Sequence, residues 1–400
     1  MESAADGIFS AEFDLSGGQW VRPELLIALA CGAFVAYLNG ANDVSKGIAT
    51  LAGSGVTDYR HAILWGTLWT GVGGLASSIF SRAMIGTFGS GLLAKQTVPT
   101  FIAAFAVLLG VAGWVGLATW FGLPVSTTHA IIGSAIGVYC FSFGLTAVNW
   151  GALGTKIVIP LLLSPVLALG LTVATLRPWR RMAPFPKTPD CLCLDVEPAS
   201  TPLGLGVAGN ALACSPAAEV RVSVGSEDAC AVERPAALRV TATHLHWFTS
   251  GAVSLARGLN DTPKIVALVL FTAAVSPGNQ APAPIVFVAV VLGMIAGSWA
   301  AGRRVTTVLA ERVTPMDHRE GFVANLVTAA LVGPGAALGL PMSTTHVSSG
   351  AIIGLGMEKG AGMNWKTVQH MLLAWLVTVP AAAVLGVLVY GGFKWLHGSH

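Results

Sequence analysis

Two short polar motifs each occur twice in this chain, in the same order and inside otherwise apolar sequence. Residues 40–46 read Gly-Ala-Asn-Asp-Val-Ser-Lys, and residues 258–264 read Gly-Leu-Asn-Asp-Thr-Pro-Lys. Gly-Leu-Pro-Val-Ser-Thr-Thr-His at 122–129 is matched by Gly-Leu-Pro-Met-Ser-Thr-Thr-His at 339–346. Because both the order and the spacing of the motifs are kept, the sequence predicts a duplicated structural unit.

The apolar sequence around these motifs requires a lipid bilayer. Hydrophobic residues make up 54% of the 400 positions and charged residues only 10%, whereas soluble domains carry roughly 25% charged residues. Residues 265–302, 321–357 and 371–393 contain no Asp, Glu, Lys or Arg. A membrane-spanning helix needs about 20 such residues. The sequence therefore predicts an all-α polytopic membrane protein of about 10–12 membrane segments, and the small net charge of +3 gives no indication of nucleic-acid binding.

The chain divides into four predicted parts. Residues 1–24 form an N-terminal tail, 25–176 a first membrane repeat, 177–243 a hydrophilic linker and 244–400 a second membrane repeat. The linker is rich in Pro, Ala and Ser, so we expect it to be poorly ordered. Its cysteines do not match the usual zinc spacing, and no metal site or other cofactor is expected.

Charge near the ends of the first repeat predicts how the two repeats are oriented. The acidic tail has no early Lys or Arg and is expected on the periplasmic side, whereas basic residues at the start of the linker indicate the cytoplasm. A first repeat that begins outside and ends inside crosses the membrane an odd number of times. The second repeat then has the opposite orientation, and the two are inverted-topology repeats with broken or re-entrant helices.

Each Asn-Asp pair is a candidate site for a coupling cation or proton, at Asn42, Asp43, Asn260 and Asp261. An ionised Asp inside a membrane is costly unless it is paired or hydrated, so it indicates function. A wet loop between helices is the alternative, and we expect Gly40 or its counterpart to permit a chain break. The lysine three residues after each Asp, Lys46 or Lys264, can pair with it on a helix or contact an anion; otherwise it extends to the interface.

The Ser-Thr-Thr clusters are candidate anion sites. Ser is a good N-cap, and the N–H groups of a helix start together with hydroxyl groups bind anions. Two such clusters facing each other would enclose a small oxyanion; the alternative is that the hydroxyls bond to their own helices. His129 and His346 end the motifs and are candidates for proton transfer, or for hydrogen bonds to backbone carbonyls. The predicted substrate-binding residues are Ser126, Thr127, Thr128, Ser343, Thr344 and Thr345.

The duplicated motifs resemble those of the inorganic phosphate transporter (PiT) family, over nearly the whole chain outside the linker. The resemblance implies a helical carrier of inverted repeats that moves phosphate with a coupling cation. It implies that the two Ser-Thr-Thr clusters contact the anion and that the two Asn-Asp pairs form the cation or proton sites.

This sequence differs from sodium-coupled members of that family in the residues that bear on the coupling ion. Those members typically follow Asn-Asp with a small pair of the Ala-Asn type, whereas Ser45-Lys46 and Pro263-Lys264 stand here. A fixed ammonium in place of a sodium ligand favours protons over sodium. Proton-coupled bacterial members are similar in carrying a Lys in the second motif.

The sequence therefore predicts a secondary active transporter of inorganic phosphate in a bacterial-type cytoplasmic (inner) membrane, working by alternating access. A sulfate permease of the same family is the alternative. An enzyme is not expected, because a Ser–His hydrolase needs one activated nucleophile and not two equivalent copies. A channel, a receptor without transport and a homo-oligomeric assembly stay open.

Overall fold

A computed structural model describes residues 23–182, 191–197, 219–225, 238–275, 282–360 and 362–396. Nearly all of the predicted N-terminal tail and the linker cysteines Cys214 and Cys230 lie outside these residues. The described chain is mostly helical, as predicted. Helices of the first half are α1 (Pro23–Asp43), α2 (Ser45–Gly53), α3 (Tyr59–Phe80), α4 (Arg82–Phe88), α5 (Phe101–Trp120), α6 (Thr127–Phe143) and α7 (Ile159–Met182), with shorter helical turns at Ser90–Leu92, Leu145–Ala147, Trp150–Ala152 and Leu153–Val158.

The second half repeats this order of elements. It comprises α8 (Ala242–Ala274), α9 (Ala283–Ala301), α10 (Arg303–Glu311), α11 (His318–Ala337), α12 (Thr344–Lys359) and α13 (Trp365–Leu396). The helix starts follow from capping residues: the Asp58 carboxylate accepts from the backbone of α3, and Asp317 with Glu320 forms a capping box at α11. The single helix α8 takes the place that α1 and α2 occupy in the first half.

Six helical stretches among the described residues are long and apolar enough to cross a membrane. They are Pro23–Gly53, Tyr59–Phe80, Phe101–Trp120, Trp150–Pro178, Ala283–Ala301 and Trp365–Leu396. The helices α6, α8, α11 and α12 pack among them, which makes ten stretches of 16 residues or more. Large apolar side chains such as Leu162 and Leu376 face outwards and are mostly exposed. The chain is thus built for a lipid environment.

Gly-Leu-Pro interrupts the chain at the predicted places. Helix α5 ends at Trp120 and α6 begins at Thr127, while α11 ends at Ala337 and α12 begins at Thr344. Gly122 and Gly339 adopt φ angles of 71° and 70°, in the left-handed region where a side chain is strained. The interruption in each half therefore depends on its glycine.

The glycines of the Asn-Asp motifs do not break their helices, contrary to expectation. Gly40 lies inside α1, and Gly258 lies inside the continuous helix α8. A Cβ at Gly40 would overlap the carbonyl oxygen of Met294 on α9, and one at Gly258 would overlap that of Thr70 on α3. Each glycine thus permits two helices from different halves to pack backbone against backbone.

The corresponding helices α1 and α8 cross in antiparallel directions. In the middle of α1, Gly32 packs against Val269 in the last part of α8. Further along the chain, the carbonyl oxygen of Gly47 in α2 accepts a hydrogen bond of 2.7 Å from Ser250, near the start of α8. From α1 to α2, the contacts with α8 therefore shift from the end of α8 towards its start, which means that the chains run antiparallel.

A small antiparallel sheet between the two halves was not predicted from the sequence. Strands β1 (Cys191–Glu197), β2 (Glu219–Gly225) and β3 (Leu238–Thr241) form it in the order β2-β1-β3. Cys191 pairs with Gly225 on one side and with Thr241 on the other. Thr241 also caps α8, so the sheet leads directly into the second half.

Candidate functional site

The first Asn-Asp-Lys motif forms a closed, buried group at the junction of α1 and α2. The Lys46 ammonium donates to Asp43 Oδ1 at 2.7 Å and to the side-chain and backbone oxygens of Asn42, each at 2.8 Å. Three oxygens thus accept from the three N–H bonds of one ammonium. The lysine side chain has no exposed surface, so it pairs with the aspartate as predicted and does not extend to the interface.

Asn39 belongs to this group, although it lies outside the repeated motif. Its Nδ2 donates to Asp43 Oδ2 at 2.8 Å and to Thr127 Oγ1 at 3.0 Å, and lies 3.5 Å from Asp261 Oδ2 in the other half. Thr127 Oγ1 is itself 3.3 Å from Asp43 Oδ2. The position four residues before Asp43, on the same helix face, was the available signal for Asn39.

Asn42 connects the Asn-Asp motif to the non-helical segment before α6. Its Nδ2 donates to Thr119 Oγ1 and to the Leu123 carbonyl, each at 3.0 Å, and its Oδ1 accepts from the Val125 amide at 3.3 Å. A buried loop leaves backbone groups without helical partners. Asn42 therefore satisfies two of them and fixes the segment beside the aspartate.

The second motif makes contacts that reach into the first half. Lys264 Nζ donates to Thr128 Oγ1 at 2.8 Å, to the Met342 carbonyl at 3.0 Å and to Asp261 Oδ1 at 3.3 Å. Asn260 Nδ2 donates to Asp261 Oδ1 and to the same carbonyl, both at 2.8 Å. The predicted i, i+3 ion pair is therefore present in this copy as well.

The starts of α6 and α12 meet at their capping serines. Ser126 Oγ accepts from the His129 amide and Ser343 Oγ from the His346 amide, each at 3.3 Å. The two serine hydroxyls lie 3.0 Å apart. Two helix N-termini, each with the positive end of its dipole, are thus directed at one buried place.

The threonines of the two clusters do not all face this place. Thr127 and Thr128 contact Asp43 and Lys264, as described above, and Thr344 is buried. Thr345 Oγ1 donates to the Val125 carbonyl at 2.8 Å, which joins α12 to the segment before α6. The structure therefore brings together both serines and ties three threonines to the neighbouring groups.

The motif histidines contact each other. The rings of His129 and His346 lie 4.4 Å apart, and His346 lies 4.1 Å from the ring of Trp375. Within the described residues, Nδ1 of His129 and Nε2 of His346 have no hydrogen-bond partner. The two histidines thus form one pair where the halves meet, with His346 buried and His129 partly buried.

Arg257 is a further buried charge that the motif comparison missed. It lies four residues before Asp261, as Asn39 lies four before Asp43, and it is fully buried. Its Nη2 donates to Ser298 Oγ on α9 at 3.3 Å. The signal was a single arginine within an apolar helix, which indicates function by default.

Comparison with known proteins shows which family the chain belongs to. A family model described as the phosphate transporter family matches residues 39–386. The chain belongs to that family. The family consists of transporters, so the chain is not an enzyme but an integral, multi-pass membrane protein. Solved structures include a similar one, "The sodium-dependent phosphate transporter", with a TM-score of 0.72 at 21% identity; it covers 94% of this chain and 100% of that one, which shows a shared fold.

Two relatives extend the similarity over most of their length. A protein of Thermococcus kodakarensis with the provisional name phosphate permease is 29% identical, over 92% of this chain and 97% of its own. A protein of Rhizobium meliloti with the provisional name low-affinity inorganic phosphate transporter is 26% identical, over 92% and 96%.

Proposed function

We propose that this protein is a secondary active transporter that moves inorganic phosphate across the cytoplasmic membrane. The observation that carries the proposal is the meeting of two helix N-termini, with Ser126 Oγ and Ser343 Oγ 3.0 Å apart. Hydroxyl and free amide donors at helix starts bind phosphate oxygens, and the helix dipoles favour a negative charge. Lys264, bonded to Thr128, adds a cation beside them.

Phosphate would be bound by the Ser-Thr-Thr clusters of both halves, with the serines at the centre. The threonines that contact Asp43 and Lys264 would couple anion binding to the charged motifs, because a shift of their hydroxyls changes those contacts. Phosphate binding would replace the hydrogen bond between the two serines with bonds from both hydroxyls to the anion.

Transport would proceed by alternating access of two inverted-topology repeats. The antiparallel crossing of α1 and α8 supports that orientation, as does the head-to-head approach of α6 and α12. Rocking of one repeat against the other around a central site is the usual motion of such carriers. The acidic tail would then face the periplasm and the linker the cytoplasm.

Protons are the proposed coupling ion, in preference to sodium. The Lys46 ammonium is itself a cation and cannot bind a sodium ion. It also donates hydrogen bonds to the side-chain oxygens of Asn42 and Asp43, which a sodium ion would need as ligands. Lys264 engages Asp261 and the Met342 carbonyl in the same way. The proposed proton-coupling groups are the two aspartates with their neighbours Asn42 and Asn260, together with the His129–His346 pair.

Flux into proteoliposomes tests the proposal. Labelled phosphate should accumulate against its gradient when an inward proton gradient is imposed without sodium. A sodium gradient alone should give no accumulation, and excess sulfate should not compete. Uptake that requires sodium would contradict proton coupling, while flux that never exceeds equilibrium would indicate a channel.

A further inference from the structure

Arg257 carries a buried positive charge that is only partly satisfied. Within the part of the chain that the structure describes, its one hydrogen bond runs from Nη2 to Ser298 Oγ. Among the residues that the structure describes, Nε and Nη1 have no hydrogen-bond partner. A guanidinium stays protonated in proteins, and an unpaired buried charge is costly. Such a group is retained at a site where a ligand of opposite charge completes it.

The carboxylates near Arg257 are already paired with lysines. Arg257 interacts electrostatically with Asp43 and Asp261. However, Asp43 lies 2.7 Å from Lys46 and Asp261 lies 3.3 Å from Lys264. The buried group therefore contains three cations and two carboxylates, which leaves one positive charge without a counterpart.

The stretches of helix packed beside Arg257 add no further charge within the described residues. Helix α11 approaches Ala256 with Gly333, and its buried Arg319 and Glu320 lie at the other end of that helix, next to Gly321 and His246. Helix α3 approaches this part of α8 with Thr70 and two glycines, and α9 contributes Ser298. The rings of His129 and His346 contact each other at a tilt of 44°, and no described hydrogen bond joins either ring to a carboxylate. They are counted as neutral, so the net charge of the group is that of Arg257.

On the basis of the proposed function, we infer that Arg257 gives the phosphate site a net charge of +1, so that the protein binds phosphate with one net negative charge. This ligand is dihydrogen phosphate, or hydrogen phosphate together with one proton taken up by the site. In both cases the occupied, buried group is neutral. Arg257 thus sets the charge of the substrate, and with it the number of protons that accompany each phosphate.

Calorimetry of the purified full chain tests this inference. Phosphate is titrated at pH 8, where hydrogen phosphate predominates, in two buffers that differ in ionisation enthalpy. The wild-type protein should take up one proton per phosphate bound. Binding without proton uptake would overturn the inference. Because this measurement needs no variant, it is decisive even if substitutions impair folding.

Variants at Arg257 separate a role in charge from a role in structure. Arg257→Met should weaken phosphate binding about tenfold or more, as expected for loss of a charged partner, without lowering the melting temperature of the phosphate-free protein. Arg257→Lys keeps the charge and should retain affinity within about threefold. Arg304→Gln removes an exposed arginine that contacts the Trp120 carbonyl and serves as the control.

A purely structural role for Arg257 predicts the opposite pattern. Arg257→Met would then lower the melting temperature and leave phosphate affinity unchanged, and this outcome overturns the inference while wild-type binding upholds the proposed function. Wild-type protein that binds no phosphate would contradict the proposed function itself, and the inference with it.

Discussion

The Lys264 ammonium donates a hydrogen bond of 2.8 Å to the Thr128 hydroxyl, which joins α8 of the second half to the first turn of α6 in the first. The same ammonium lies 3.3 Å from Asp261 Oδ1. One side chain therefore connects an Asn-Asp motif to the Ser-Thr-Thr cluster of the opposite half. A change in the charge of Lys264 or of Asp261 would therefore alter the contact between the two halves.

Lys264→Met should destabilise the protein strongly, because the buried Asp261 carboxylate loses the ammonium that is hydrogen-bonded to it. Arg257 interacts with Asp261 only electrostatically, since its hydrogen bond within the described residues goes to Ser298. Removal of one partner of a buried ion pair costs about 3–5 kcal/mol. Chemical unfolding in detergent measures the loss. The double variant Lys264→Met/Asp261→Asn removes both charges and should recover at least half of it; a single variant as stable as wild type would show that the pair is not ionised.

The sequence was sufficient for the helical membrane fold and for the two motifs that the structure brings together. The repeated sequence motifs located both Asn-Asp-Lys groups and both Ser-Thr-Thr-His groups. Comparison of the copies could not locate Asn39 and Arg257, because these equivalent positions carry different residues. A search for polar residues one helical turn before each Asp would have found both.

The part that could not be predicted concerns contacts between distant segments. Glycine in a membrane segment is compatible with a chain break or with close packing, and the sequence alone does not say which helix approaches Gly40. Likewise, Pro263 is compatible with a break, yet α8 continues through it. The strands of the linker sheet did carry a signal that was not used, since Val220, Val222 and Val224 alternate with polar residues in β2.

Gly40→Ala should destabilise the protein because its methyl group would overlap the backbone of Met294 on α9. Overpacking costs about 1–3 kcal/mol, and a backbone neighbour cannot move aside as a side chain can. Gly170→Ala on α7 is the matched control, since nothing lies within 4 Å of its added Cβ. That variant should gain about 0.5–1 kcal/mol. Equal melting temperatures for the two variants would contradict the close packing of α1 and α9.

Ser126→Ala combined with Ser343→Ala should lower phosphate affinity at least tenfold, since two hydroxyl donors are lost at the proposed site. Each lost N-cap also costs about 0.5–2 kcal/mol of stability. Thr100→Ala removes one cap of the same kind from α5 and should cost about half as much stability, with no change in phosphate affinity. If both variants bind phosphate equally well, the serines are caps only.

His346→Gln should retain phosphate binding and lose proton-driven accumulation, if the histidine pair carries the proton as proposed. His346→Phe keeps a ring against Trp375 and is the control for packing. Both variants should still exchange internal for external phosphate in proteoliposomes. Uphill uptake by His346→Phe at the wild-type rate would assign the proton to the aspartates alone.

Gly122→Ala should reduce both stability and transport, because φ at this position is 71° and the segment it begins is bonded to Asn42. A left-handed conformation costs an ordinary residue about 1–2 kcal/mol. Gly360→Ala imposes comparable strain at φ 68°, after the end of α12 and with nothing within 4 Å of the added Cβ. The two variants should therefore lose similar stability, measured by thermal unfolding, while phosphate flux falls only for Gly122→Ala. Displacement of the Leu123 carbonyl and the Val125 amide would free Asn42 from its loop partners, and so disturb the oxygens that hold Lys46. Equal flux from both variants would mean that the loop conformation does not control the charged group.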